Sequence, residues 1–254
     1  MAITIKSERE IELMAEAGKI LERVHNELEK ALHPGMSTKD IDTLGEKIIR
    51  SYGCIPSFLN YNGYPASICV SVNQEVVHVI PDKHRIIHEG DIVSLDAGVI
   101  YKGYHSDAAR THAVGEVSEE AKKLIQVTKE CFFEGIKYAK AGNHLFDISG
   151  AIGRYAEERG YGVVRDLCGH GIGTALHEAP EIPNYEVGRK GVKLRPGMTL
   201  AIEPMINIGT YEVDWLDDDW TVVTRDGSLS AHYENTILIT EGEPRILSLT
   251  CDNE

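Results

Sequence analysis

Residues 96–111 read DAGVIYKGYHSDAART, and together with the preceding EGDIVSL (residues 89–95) they set two carboxylates, Asp96 and Asp107, into what is otherwise a pair of strands. Val93, Leu95, Ala97 and Val99 fall on one face and Ile92, Ser94, Asp96 and Gly98 on the other, the two-residue period of a strand with the first set facing the core. Lys102-Gly103 suits a two-residue hairpin turn, because glycine supplies the positive φ that such turns need. In that hairpin, residues whose numbers add to 205 face each other. Asp96 then lies opposite Ala109, and Asp107, two residues along, is its diagonal neighbour on the same face, with stems roughly 7–8 Å apart. Two like charges in a half-buried place repel and lose hydration, so either one carries a proton or something positive lies between them. A cation is the simpler answer if further ligands exist.

The composition narrows the search. A chain of 254 residues allows one large domain or two small ones, with roughly 70–75% of the unfolded surface buried. Lys and Arg total 26 against 40 Asp and Glu, a formal charge of −14 without a basic cluster, which argues against nucleic acid as a partner. Cys54, Cys69, Cys131, Cys168 and Cys251 are odd in number and contain no CxxC, the pattern of reduced thiols in a cytoplasmic chain. MAITIKSERE carries no apolar run and no stretch approaches about 18 apolar residues, so neither a signal peptide nor a membrane span is expected.

The organisation is helix, helix, hairpin, and then the same again. Ser7 and Glu10 form a capping box for a long helix that stops near His33-Pro34-Gly35, and Thr38 caps a second ending at Tyr52-Gly53. Ser118 opens a third, closing at Ala141-Gly142, and a fourth runs from about Phe146 to Arg159 before Gly160. Gly35 and Gly142 are 107 positions apart. The same offset relates Asp40 to Asp147, Ile41 to Ile148, Gly53 to Gly160 and Gly90 to Gly197, which indicates a duplicated unit, with halves of about 7–114 and 118–240 in one domain spanning 1–254.

The offset carries Asp96 to Glu203, whose neighbour Pro204 favours extended backbone. Glu234 lies in a closing strand, so each half can contribute two acids to a common centre. Four buried carboxylates call for two divalent cations, and a pair of ions is a recurring hydrolytic device. His170 and His177, in the glycine-rich GHGIGTALHEAP, are the best candidates for an imidazole donor. His25, His33, His84 and His88 read as surface residues, whereas His78, in the strand-like VVHVIP, suits a core or a functional place equally.

Taken together, His78, Asp96, Asp107, His170, His177, Glu203 and Glu234 resemble the signature of a type I methionine aminopeptidase, of the α+β pita-bread fold with pseudo-twofold duplicated units around a curved, mainly antiparallel sheet. The resemblance implies that Asp96, Asp107, His170, Glu203 and Glu234 hold two divalent metals (cobalt, manganese, iron, zinc or magnesium), with Asp107 and Glu234 bridging. It implies substrate contacts from His78 and His177, and a methionine pocket lined by Phe58, Tyr61, Tyr64, Cys69, Leu176 and Trp220. Asn73 and Ser230 match a place for one monovalent cation. Only 26 positions separate His177 from Glu203, so the insertion of the type II enzymes is absent. Val79, Leu176 and His232 depart from the glycine, aromatic and glutamine common in bacterial relatives, changes that bear on pocket shape.

The chemistry this implies is metal-dependent removal of methionine from new chains with a small second residue. Divalent ions acidify water, and Glu203 would exchange protons as general base and acid while His177 meets the oxyanion. The expected setting is a cytoplasmic monomer acting on nascent N-terminal peptides, a role compatible with transient ribosome association. The other readings are a metallopeptidase cutting before proline, whose relatives carry a large N-terminal domain, and a non-catalytic binding module on the same fold.

Overall fold

Ser7 starts helix α1 (Glu8–Ala31), its N–H donating to the Glu10 carboxylate at 2.7 Å. The structure, a computed structural model, describes residues 2–249. Helix α2 (Thr38–Ser51) is capped by Ser37, one residue before the expected Thr38: Ser37 Oγ accepts from Asp40 N at 3.1 Å while Asp40 accepts from Ser37 N at 2.9 Å. The Thr38 hydroxyl instead pins the loop at Asp82, donating to its carbonyl and accepting from its amide.

Ser118 caps α3 (Glu119–Ile136), which stops five residues short of Ala141. Tight bonds from Tyr138 N to Gly135 O and from Ala139 N to Ile136 O wind the chain more steeply there and bury Ala139 in the core. Helix α4 (Leu145–Glu157) follows, with His144 and Asp147 as its capping pair. It starts one residue before Phe146 and ends two before Arg159.

The duplication extends to individual bonds. Gly35 N donates to Ile87 O and Ile87 N to Met36 O; 107 positions on, Gly142 N donates to Leu194 O and Leu194 N to Asn143 O. Gly35 and Gly142 hold φ of 94° and 93°, a region closed to most side chains, so both units require glycine there.

The first hairpin, Ile92–Tyr101 with Tyr104–Ala113, has the expected register, Asp96 facing Ala109 and Gly98 facing Asp107. Lys102 and Gly103 both have positive φ, the turn whose twist matches that of the strands. In the second half, strand Thr199–Ile202 pairs antiparallel with Asn235–Leu238. The halves join where Glu234 N donates to Ala109 O at 3.0 Å and Asp107 N to the Thr236 hydroxyl at 2.9 Å. The ribbon is antiparallel throughout and divides into sheets of four, five, three and three strands.

Each half has its own core. Leu21, Val24 and Ile49 pack on Val93, Leu95, Ala97 and Val99 in the first, and Phe132, Ile148 and Ile152 on Leu200, Ile202 and Ile237 in the second. The helices thus cover one face of the ribbon and leave the other to the acids. His25 corrects the surface reading: it is buried on the inner face of α1, hydrogen-bonded through Nε2 to Ala108 O at 2.9 Å, and burial holds its pKa well below the usual range. His33, His84 and His88 are exposed. Cys54, Cys69, Cys131 and Cys168 are free thiols, and Cys251 lies outside the described residues. Among the described residues no helix is long and apolar enough to cross a membrane.

Candidate metal centre and side-chain pocket

Asp96 and Asp107 project from the first hairpin, His170 from the short strand Gly169–Gly171, Glu203 from the end of Thr199–Ile202, and Glu234 from the residue before Asn235–Leu238. These elements bring all five together, with Asp107 and Glu234 only 4% and 2% exposed. Asp107, His170 and Glu234 each present one ligand atom within 4.8 Å of the other two. His170 Nε2 lies 3.8 Å from Asp107 Oδ2 and 3.6 Å from Glu203 Oε1, too far for hydrogen bonds. Its Nδ1 donates to Gly171 O at 2.9 Å, which leaves Nε2 with its lone pair towards the acids.

Burial dominates the electrostatics. It raises Asp96 to about 7. Asp107, Glu203 and Glu234 lie well above the carboxylate range, by burial first and then by the negative charge of their neighbours. Desolvation lowers His170 to about 3. Asp96 Oδ1, Asp107 Oδ1 and Glu234 Oε1 are buried without a hydrogen-bond partner. Unpaired buried oxygens carry a large cost in a protein interior, and a cluster of them with one imidazole lone pair is a donor set suited to divalent cations.

His78 is not within a strand. The strand Glu75–Val77 ends just before it, and His78 adopts φ of 59°, a conformation costing a non-glycine residue roughly 1–2 kcal/mol. Burial lowers its pKa to about 4 and keeps it neutral. His177 is exposed along one edge, while its ring packs edge-on against His170 at 4.1 Å and Tyr61 at 5.2 Å, contacts that desolvate it and lower its pKa. Tyr61 Oη lies 2.9 Å from His177 Nδ1.

A cavity of about 130 Å³ opens onto the acids. Phe58, Tyr61, Tyr64, Cys69, Leu176 and Trp220 line its apolar end, and His78, His177 and the five clustered donors its other end. Tyr64 donates through Oη to Val79 O at 2.7 Å and meets Trp220 edge-on at 5.1 Å. Asn62 also lines the cavity. Its spacing gave no sign of this, although NYNG is readable as a turn and asparagine tolerates the φ of 49° found there. His78, His170, His177 and Glu203 are shared with a wider cleft of about 640 Å³ that reaches Cys168, Glu181 and Met205.

His232 is 1% exposed, with Nε2 3.8 Å from Glu203 Oε2 and 3.9 Å from Glu234 Oε2. Asn73 uses both ends of its amide within the protein, accepting from Ile92 N at 3.0 Å and donating to Asp91 at 2.8 Å.

The sequence matches metallopeptidase family M24 over residues 12–241, and the chain belongs to that family, with its pita-bread fold. The crystal structure of a methionine aminopeptidase from Thermotoga maritima, 46% identical, superposes with a TM-score of 0.95 over 98% of this chain and 100% of that one. The methionine aminopeptidase of Clostridium acetobutylicum is 58% identical across 97% of this chain and 99% of its own length. The Xaa-Pro dipeptidase of Bacillus anthracis is more distant: 27% identical with a TM-score of 0.78, the match covering 97% of this chain and 62% of that one.

Proposed function

We propose that the protein is a methionyl aminopeptidase that releases the first residue of newly made chains whose second residue is small. The observation that carries this reading is the small apolar cavity ending on the buried acid cluster, a space for one unbranched side chain beside a hydrolytic centre. Asp96, Asp107, His170, Glu203 and Glu234 would hold two divalent ions within one catalytic unit built from the two halves. When bound, such ions supply an acidified water and a Lewis-acid contact.

The protein's own residues do the rest. Phe58, Tyr64, Cys69, Leu176 and Trp220 take the methionine side chain, with Cys69 suited to the polarizable thioether. With Tyr61 Oη, 2.9 Å away, as donor to His177 Nδ1, His177 Nε2 carries the proton and donates to the oxygen of the scissile carbonyl as it gains charge. Neutral His78 holds the scissile amide. Glu203, between the pocket and the wider cleft, takes a proton from the attacking water and returns it to the leaving amine.

The 58% identity to a methionine aminopeptidase over nearly both full lengths supports this reading over proline-directed cleavage, since the dipeptidase relative carries much additional chain. Retention of every donor supports catalysis over a binding module. The test is release of methionine from a Met-Ala-Ser peptide by the wild type, E203Q and H170A, with bound metal measured by elemental analysis. Loss of turnover in both variants is expected, with the fold kept. Undiminished turnover in both would remove the site assignment, and cleavage of X-Pro peptides in place of Met-Ala-Ser would remove the specificity.

A further inference from the structure

We propose that His232 is a sixth protein ligand of the metal centre, donating through Nε2 to the ion on the Glu203–Glu234 side, so that the pair of ions meets two imidazoles. This inference rests on the metal-centre reading above. Both ring nitrogens of His232 are buried and without a hydrogen-bond partner, an uncommon state for an imidazole inside a protein. Its distances to Glu203 and Glu234, 3.8 and 3.9 Å, are too long for hydrogen bonds. They match the 3.8 and 3.6 Å that His170 keeps to Asp107 and Glu203. Donors that share one ion at about 2.0–2.2 Å each stand apart by this sort of distance.

Glu203 makes the relation explicit: Oε1 faces His170 and Oε2 faces His232, so one carboxylate spans the two rings. The backbone fixes His232 in that place. Thr111 Oγ1 accepts from His232 N and lies 2.9 Å from its carbonyl oxygen, and His232 pairs with Met205 across the strands. The side chain also borders a cavity of about 330 Å³ shared with Arg110 and Thr111. A second imidazole favours zinc, iron or cobalt over manganese or magnesium, because nitrogen donors suit the former and oxygen donors the latter.

The experiment uses zinc and manganese alone, without substrate, on full-length wild type, H232Q and H170A. X-ray absorption of the zinc-loaded protein should count two imidazoles per pair of ions in the wild type, and one in each variant. Competitive titration should show zinc held roughly 10–100-fold more weakly at one site of H232Q, with manganese much less affected. One imidazole in the wild type overturns the proposal, and needs no variant to fold. So does an unchanged zinc-to-manganese preference in H232Q, which would leave His232 as a side chain that only packs beside or orients the acids. A wild type that binds no zinc or manganese overturns the metal-centre reading as well, and is thereby distinguished from failure of the His232 assignment alone.

Discussion

His170 faces Ala201 across paired strands, and Glu203, two residues further along, brings Oε1 to 3.6 Å from the His170 Nε2. The first half uses the same diagonal, with Asp96 facing Ala109 and Asp107 two residues along. Donors two positions off the facing pair share a side of the ribbon and converge, so strand pairing itself forces the acids together.

That crowding has a pH signature in metal-free protein. Asp96 ionises near 3.8 in an unfolded chain and at about 7 in the fold, so between these values the native state holds a proton that the unfolded state has lost. The cost is absent below about pH 4, grows as pH rises, and is complete above about pH 7. Metal binding needs the carboxylates deprotonated and reverses the trend. Thermal melts of chelated and manganese-loaded protein should diverge steadily from about pH 5 to about pH 8. A gap that stays constant across that range would contradict the burial of these charges.

The hairpin and the donors were legible because each follows from a local rule. Lys102-Gly103 fixed the turn, the turn fixed the register, and the 107-residue offset carried Asp96 to Glu203. His25 was misread because its neighbours Arg23 and Glu27 are exposed, and only the ribbon packed against its side of α1 buries it. The cap at Ser37 and the early end of α3 depend on bonds to Asp40 and within the Gly135–Ala139 turn, which periodicity does not encode. His232 read as a change in pocket shape because its neighbours Glu203 and Thr111 are distant in sequence.

The glycines around His170 are spatial requirements. A Cβ on Gly171 would stand 2.2 Å from the Ala179 carbonyl oxygen, and on Gly169 2.4 Å from that of Ala201. Both obstacles are backbone, so a strand must move. Gly171→Ala should cost about 2 kcal/mol, lowering Tm by about 4–8 °C, and should weaken metal binding by displacing His170. Differential scanning calorimetry checks the first, and a wild-type Tm would show that the strand yields without cost.

Tyr64 links the pocket wall to His78. Its hydroxyl holds the Val79 carbonyl at 2.7 Å, and Val79 follows the left-handed backbone of His78. Tyr64→Phe preserves the ring and its contact with Trp220 but leaves that carbonyl unpaired, at a cost of about 1–3 kcal/mol. With His78 less firmly placed, kcat on Met-Ala-Ser should fall about tenfold while bound metal stays constant. Metal loss alongside activity would assign Tyr64 to the fold of the whole centre.

Ser37 and Asp147 cap helices in opposite halves, the first accepting from Asp40 N and the second from His144 N. Removing either leaves a helix-terminal N–H without its partner, worth about 1 kcal/mol. If the two cores are separate packing units joined along the ribbon, the losses in Ser37→Ala and Asp147→Ala should add in the double variant to within about 0.5 kcal/mol. Urea denaturation of the four proteins gives the comparison. A double variant much less stable than the sum would show that fraying one helix loosens the other half, with the Glu234–Ala109 pairing between hairpins as the link that carries it.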